Sequence, residues 1–164
     1  MKLKIKKVQP SDIGPLSIMA SALFNETNPG YPQIDNSEIE KMMFLVLTHM
    51  NNPLSLYLIA YDGKQPAGFF IGNIATHAYG KPDTVGVAQE LYVVPEKRGG
   101  DVGMKLISTA VQYALQAGVQ GFEAIGTYGK TDQRWIKLGF EPYVSYMHMD
   151  RDTAEKLLVR RKGK

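Results

Sequence analysis

The amino-acid sequence predicts a single α/β domain, of the α+β kind, in which helices flank a mixed central sheet. Two observations carry this expectation. Segments rich in β-branched and aromatic residues alternate with segments of helical apolar spacing, in the order β-α-α-β-β-β-α-β-α-β. The 164 residues, 44% of them hydrophobic, suffice for one packed core but not for two ordinary domains. No internal repeat, low-complexity segment or linker divides the chain, so residues 1–164 are read as one domain ending in a basic tail at 151–164.

In residues 2–8, Leu3, Ile5 and Val8 alternate with Lys2, Lys4 and Lys6, the pattern of an edge strand whose lysines discourage pairing with other chains. Ser11 or Asp12 starts the first helix, Pro15 is tolerated in its first turn, and Leu16, Met19, Ala20 and Leu23 give it an apolar stripe. Residues 25–35, NETNPGYPQID, are dense in turn formers and make the best candidate for a binding loop. A second helix opens with Ser37 and Glu40 at capping-box spacing and carries Ile39, Met43, Val46 and Met50 at helical intervals, its methionines read as core filler. Residues 54–61 read as a strand, Asp62-Gly63 as a tight turn and 67–75 as the antiparallel partner. A long strand over 84–94 leads into a helix over 102–116, with Leu106, Ile107, Ala110 and Ala114 along one side and Gly118 closing it. The next strand, 122–127, follows through that helix and so lies parallel to its predecessor. A short helix over 131–138, a last strand over 140–149 and a terminal helix over 152–159 complete the reading.

The chain contains no cysteine, which excludes disulfides, thiolate metal sites and a cysteine nucleophile. His49, His77 and His148 are scattered, stand at no metal-binding spacing and are read as structural, so no metal is expected. The basic N-terminus lacks an apolar core of signal-peptide length, and no apolar run approaches membrane-spanning length. A cytoplasmic protein without a membrane partner is therefore expected. The net charge of +3 is modest, and Arg160, Arg161, Lys162 and Lys164 read as a solvated end. A nucleic-acid partner is not expected, because that tail lacks interleaved aromatic residues. The sequence leaves a homodimer open.

The most informative stretch is residues 89–106, QELYVVPEKRGGDVGMKL. An apolar strand runs to Pro95, a glycine-rich turn follows, and a helix opens near Val102. The first N–H groups of a helix have no acceptor within it, and with the helix dipole they favour an anion. Gly99, Gly100 and Gly103 let backbone approach a ligand closely, and Lys97 and Arg98 add cationic side chains beside the turn. This order of elements makes a phosphate site.

Within that stretch, VVPEKRGGDVG resembles motif A of the GCN5-related N-acetyltransferases (GNAT), which holds the pyrophosphate of acetyl-CoA. Residues 134–143, RWIKLGFEPY, are similar to the second signature of the family, a short helix ending in L-G-F before the last strand. The resemblance extends over nearly the whole chain. It implies the GNAT fold, whose two parallel central strands splay apart around the pantetheine arm of acetyl-CoA, the expected co-substrate. Leu91, Tyr92 and Val93 are assigned to backbone pairing with that arm. Lys97, Arg98, Gly99, Gly100, Asp101, Val102, Gly103 and Met104 are assigned to the pyrophosphate turn. Two positions depart from the family pattern. Asp101 stands where a glycine is usual and is expected to point to solvent or to cap the helix. Trp135 stands where a tyrosine is usual, and an indole N–H is no acid at neutral pH.

What the resemblance implies is an N-acetyltransferase acting on a primary amine, of a small molecule or a protein, by direct attack. Such chemistry needs a proton acceptor for the amine, an N–H for the oxyanion and a proton for the leaving thiolate. Glu90 is assigned as the base, with Gln89 orienting a water as the fallback and Glu123 as a weaker candidate. Strict alternation puts Glu90 with Tyr92 and Val94 on one face and Gln89 with Leu91 and Val93 on the other, but a β-bulge would exchange them. Tyr143 is assigned as the acid, with Tyr128 or Tyr146 as alternatives, or an unprotonated departure of the thiolate. Glu26 and Asp35 are candidates for attracting a cationic acceptor to the 25–35 loop. The competing expectation is a GNAT-fold binding or assembly module that has lost catalysis, in which side chains fill the groove between the central strands.

Overall fold

Alternation along five strands sorts the apolar side chains onto two faces of one sheet, and each face is covered by its own helices. The structure, a computed structural model, describes residues 3–28, 30, 35–76, 84–124 and 135–140. The elements are β1 (Leu3–Lys7), α1 (Ile13–Thr27), α2 (Asn36–His49), β2 (Leu58–Asp62), β3 (Gln65–Thr76), β4 (Thr84–Val93), α3 (Val102–Gln116) and β5 (Gly121–Ala124). The strands lie in chain order. The β1–β2, β2–β3 and β3–β4 pairs are antiparallel and β4–β5 is parallel, as a helical connection requires. The mixed α/β architecture expected from the sequence is thus present.

On one face Leu58, Ala60, Phe70 and Ile74 pack under Val102, Leu106, Ala110 and Ala114 of α3. On the other, Ile59, Phe69 and Tyr92 pack under Leu16, Met19 and Ala20 of α1 and Met43 and Val46 of α2. Leu58 and Ile59, neighbours in sequence, are both fully buried in different cores, so the sheet is sealed on both sides here and the strand pattern is continuous rather than alternating in hydropathy.

Several boundaries differ from the sequence expectation. The first helix does not end at Asn25 but runs to Thr27, because Thr27 Oγ1 and Asn28 Nδ2 donate to the Leu23 and Phe24 carbonyls that a helix end leaves unpaired. The cap of α2 is Asp35 rather than Ser37: its carboxylate accepts from the Glu38 N–H at 2.9 Å and from the Ser37 hydroxyl at 2.7 Å. Residues 54–57 are not continuous β2; Ser55 forms an isolated bridge with Asn73, held by Leu56 N–H to the Gly72 carbonyl at 2.9 Å. The Gly63-Lys64 turn has Gly63 at φ +63°, in the left-handed region that glycine tolerates. Trp135–Phe140 retain the L-G-F segment, with Gly139 at φ +90° and the Trp135 and Phe140 rings edge to face at 5.1 Å. The expected last strand and terminal helix lie outside the described residues.

Sequence reading missed a buried cluster that fastens α1 to the sheet. Asp12, 3% exposed, accepts both oxygens' worth of contact from Lys6 Nζ at 2.8 Å, and further bonds from the Gln9 N–H and the Tyr61 hydroxyl at 2.8 Å each. Burial alone would raise its pKa, but these donors outweigh burial and hold the carboxyl below its ordinary value. Tyr61 is pushed the other way, to about 12, by burial and by the same carboxylate.

Candidate active site

The site is built by one extra residue in β4. Ile71 pairs with Glu90 and Gly72 with Ala88, which leaves Gln89 unpaired as a β-bulge. Two independent consequences follow. The Thr84 carbonyl accepts from Gln120 on the β5 side, whereas the Val94 N–H donates to Ala67 on the β3 side. These two residues are an even number apart, so an unbroken strand would direct both to the same edge. Likewise Ala88, Leu91 and Val93 all pack toward α3, which alternation alone forbids.

Beyond the bulge, therefore, Leu91 and Val93 direct their backbone groups to the β5 edge, while Tyr92 directs its own to β3. The pairing of β4 with β5 covers only Val85–Ala88 among the described residues. Past Ala88 the edge of β4 that carries Leu91 and Val93 faces away from β3 with no strand partner in the described part of the chain. Of the three residues expected to pair with the pantetheine arm, the backbone of Leu91 and Val93 has the right direction. Tyr92 does not, a correction that follows from alternation beyond the bulge. The side chain of Tyr92 is instead buried against Phe69 under the helices, ring centres 6.0 Å apart.

Side chains take the complementary arrangement. Glu90 lies opposite Ile71, on the face covered by α1 and α2, together with Tyr92 and Val94. Gln89 is exposed and Glu90 half-buried; burial pushes the Glu90 carboxyl above its ordinary value. Farther along this face, the cross-strand row Ser55, Asn73, Val87 and Glu123 carries three polar side chains around one apolar one. Ser55 is buried, and Asn73 Oδ1 is buried without a hydrogen-bond partner among the described residues. A buried acceptor lacking a donor is costly, so this floor is suited to a ligand that brings N–H groups. The bulge thus places Glu90 beside an acceptor-rich sheet face.

At the other end of the same edge, α3 starts without a side-chain cap. Asp101 stands at the N-cap position, but its carboxylate is exposed and pairs with Lys105 one turn on, at 2.5 Å, so it does not fill the space above the first N–H groups. Gly99, at φ +80°, makes the turn that precedes the helix. Gly103 is different: a Cβ there would meet only Val93 Cγ2 at 3.5 Å, an ordinary contact. Neither backbone conformation nor packing demands glycine at 103, and the open space over the uncapped helix suits the close approach of an anion. These residues fit a pyrophosphate. The two neighbouring cations are engaged elsewhere: Lys97 pairs with Asp62 at 2.6 Å, and Arg98 with Glu26 at 2.7 Å.

On the α3 side of the β4–β5 pair, an apolar pocket is lined by Ala88, Ile107, Val111, Phe122, Trp135 and Phe140. Trp135 packs on Phe140 within its short segment, and its indole N–H is buried without a partner among the described residues. Tyr143, with Tyr128, Tyr146, His77 and His148, lies outside the described residues. His49 bonds the Leu45 carbonyl within α2, and no metal-binding cluster occurs among the described residues. Glu26 and Asp35, proposed on sequence to attract a cation, are used by Arg98 and by the α2 cap. No helix among the described residues is long and apolar enough to cross a membrane.

Comparison with solved structures places this geometry in a known fold. A predicted acetyltransferase with acetyl-CoA from Clostridium acetobutylicum superposes with a TM-score of 0.77 at 14% identity, covering 91% of this chain and 96% of that one. A transcriptional regulator from Bacillus halodurans gives 0.73 at 13% identity, covering 91% and 99%. An aminoglycoside N-acetyltransferase in complex with CoA gives 0.71 at 15% identity, covering 92% and 95%. No curated protein matches the sequence. The model of the acetyltransferase (GNAT) family matches residues 20–140, which include both β4 with its bulge and the uncapped start of α3. The chain belongs to the acetyltransferase (GNAT) family.

Proposed function

We propose that the protein transfers the acetyl group of acetyl-CoA to a primary amine by direct attack. The observation that carries this reading is the bulge at Gln89, beyond which Leu91 and Val93 turn their backbone to the edge that has no β5 partner among the described residues, while Glu90 takes the opposite face. When bound, acetyl-CoA supplies the thioester carbonyl that the amine attacks. The Val102, Gly103 and Met104 N–H groups hold its pyrophosphate, and the outward backbone of Leu91 and Val93 pairs with its amide arm. Glu90 takes a proton from the amine. Its raised pKa suits that role, since a base is most useful when its pKa lies nearer the working pH. The buried Asn73 Oδ1, without a hydrogen-bond partner among the described residues, lies on the same face, which favours an acceptor that brings N–H groups.

The test is direct. Acetyl-CoA is titrated into the protein in a calorimeter, and thiol release is then followed with a panel of primary amines that includes polyamines, an aminoglycoside and lysine-containing peptides. Saturable binding with amine-dependent thiol release supports the proposal; no binding refutes it. One observation favours a second reading, a GNAT-fold binding module without turnover: Trp135 occupies the position of the usual acid with its N–H buried. That reading requires binding without thiol release toward any amine of the panel.

A further inference from the structure

Arg98 lies in the segment expected to bind phosphate, yet most of its guanidinium is used inside the protein. Nε donates to the Val93 carbonyl at 2.9 Å, on the open edge of β4. Nη2 donates to both oxygens of Glu26, at 2.8 and 2.7 Å. The guanidinium carbon stands 5.4 Å from the centre of the Tyr92 ring, and the Tyr92 hydroxyl reaches Glu26 Oε1 at 3.3 Å. Three separate elements therefore meet at one side chain: the last turn of α1, the edge of β4 that has no strand partner among the described residues, and the start of the turn before α3.

The arrangement depends on the shape of arginine. A planar fork bonds a carbonyl and a carboxylate in different directions while its face rests on a ring; an ammonium carries the same charge but cannot do all three. The pair is 44% and 41% exposed in its side chains, so it adds little to global stability. Its effect is local. Gly99 and Gly100 follow at once and bring no side chain of their own, so among the described residues the side-chain anchors of this turn are Arg98 and the Lys97–Asp62 pair, of which only Arg98 reaches the edge of β4.

Resting on the proposed function, we infer that Arg98 and Glu26 form a pin that sets the phosphate turn against β4. Glu26 is a positioning residue acting through Arg98. The anion itself is held by backbone N–H groups, and the charge of Arg98 is not what binds it.

The experiment is a double-mutant cycle read by acetyl-CoA affinity, with Arg98→Lys, Arg98→Gln, Glu26→Gln and the pair Glu26→Gln with Arg98→Lys. Each single change is expected to weaken acetyl-CoA about fivefold, and the pair to bind no more weakly than Arg98→Lys alone. S-acetylpantetheine, which lacks the pyrophosphate but meets the Val93 backbone that Arg98 bonds, serves as the comparison, and its KM is expected to change less than the affinity for acetyl-CoA. Wild-type affinity in Arg98→Lys alongside a loss in Arg98→Gln would show that charge binds the phosphate and overturn the pin. So would an unaltered Glu26→Gln, an additive pair, or an equal loss on S-acetylpantetheine. A wild-type chain that binds no acetyl-CoA overturns the proposed function and the pin together, whereas wild-type binding with unaffected variants overturns the pin alone.

Discussion

Replacing Glu90 by Gln separates catalysis from stability, because the structure sets opposite expectations for the two. Glu90 is half-buried, and burial is what raises its pKa; no ion pair or hydrogen bond holds it among the described residues. Losing the carboxylate therefore strands no partner. The sign of the linkage follows. A carboxyl whose folded pKa lies above its ordinary 4.5 binds more protons folded than unfolded, so it lowers stability as pH rises through that window. Glu90→Gln is expected to melt at the same temperature as wild type or higher at pH 7, and the difference is expected to vanish below about pH 4.

Turnover should move the other way. Loss of a general base costs roughly 10²- to 10⁴-fold. The wild-type kcat/KM is expected to fall with decreasing pH through the raised Glu90 pKa, and that limb should be missing from the variant. The deficit should also narrow toward about pH 10, where a lysine-like amine loses its proton without help. Thiol release from acetyl-CoA, followed from pH 5 to about pH 10 with matched melting curves, tests both halves. The assignment is refuted if the acid limb persists in Glu90→Gln, or if lost activity tracks a lower melting temperature.

Three further outcomes rest on other parts of the molecule. Gly103→Glu is expected to abolish acetyl-CoA binding in calorimetry without lowering the melting temperature, since its Cβ meets only Val93 Cγ2 at 3.5 Å and an acid suits the first turn of a helix; unchanged affinity would place the phosphate site elsewhere. Asp12→Ala should cost about 2 kcal/mol at pH 7 in denaturant unfolding, because it strands the half-buried donors of Lys6 and Tyr61. As the folded Asp12 pKa lies below the ordinary 3.8, that gap is present above this value and should shrink as pH falls beneath it; a constant gap would count against the cluster. Gly68→Ala should lower the melting temperature, because its Cβ would sit 2.5 Å from the Tyr92 carbonyl oxygen; an unshifted melting curve would mean that β3 and β4 yield there freely.

What was legible in the sequence depended on how local its cause is. The α3 helix spans Val102–Gln116 as its apolar spacing predicts, and Gly118 stands at φ +85° just past its end. The glycine-rich turn before α3 was legible for the same reason, since a strand, a proline, glycines and a helix start are neighbours in the chain. The end of α1 was not. Asn25, Glu26 and Thr27 read as turn formers, but Glu26 is held by Arg98, 72 residues away, a contact that no local pattern announces. The Asp12 cluster escaped similarly: Tyr61 is 49 residues from Asp12, and an aspartate before a helix looks like an ordinary cap. The bulge was foreseeable as an alternative but not placeable, because QELYVV fits the sheet with either face inward until the partners of Ile71 and Gly72 are known.

That single displaced residue explains why the edge and face of β4 change together. Backbone direction and side-chain direction are coupled along a strand: a residue whose amide points to one edge has a side chain on a set face, and its neighbour reverses both. An added residue therefore exchanges edge and face in one step. Before Gln89 the outward groups of the strand pair with β5; after it, Leu91 and Val93 turn their backbone outward beyond the last β5 partner among the described residues, while their side chains stay with α3. Glu90 is consequently committed to the opposite face, beside Tyr92 and under the end of α1. A residue that presented both its carboxylate and its backbone to the opening would need a different strand geometry. The proposed division of labour, with backbone from odd-numbered residues for the donor and a side chain from Glu90 for the acceptor, follows from the pleat once the bulge is in place.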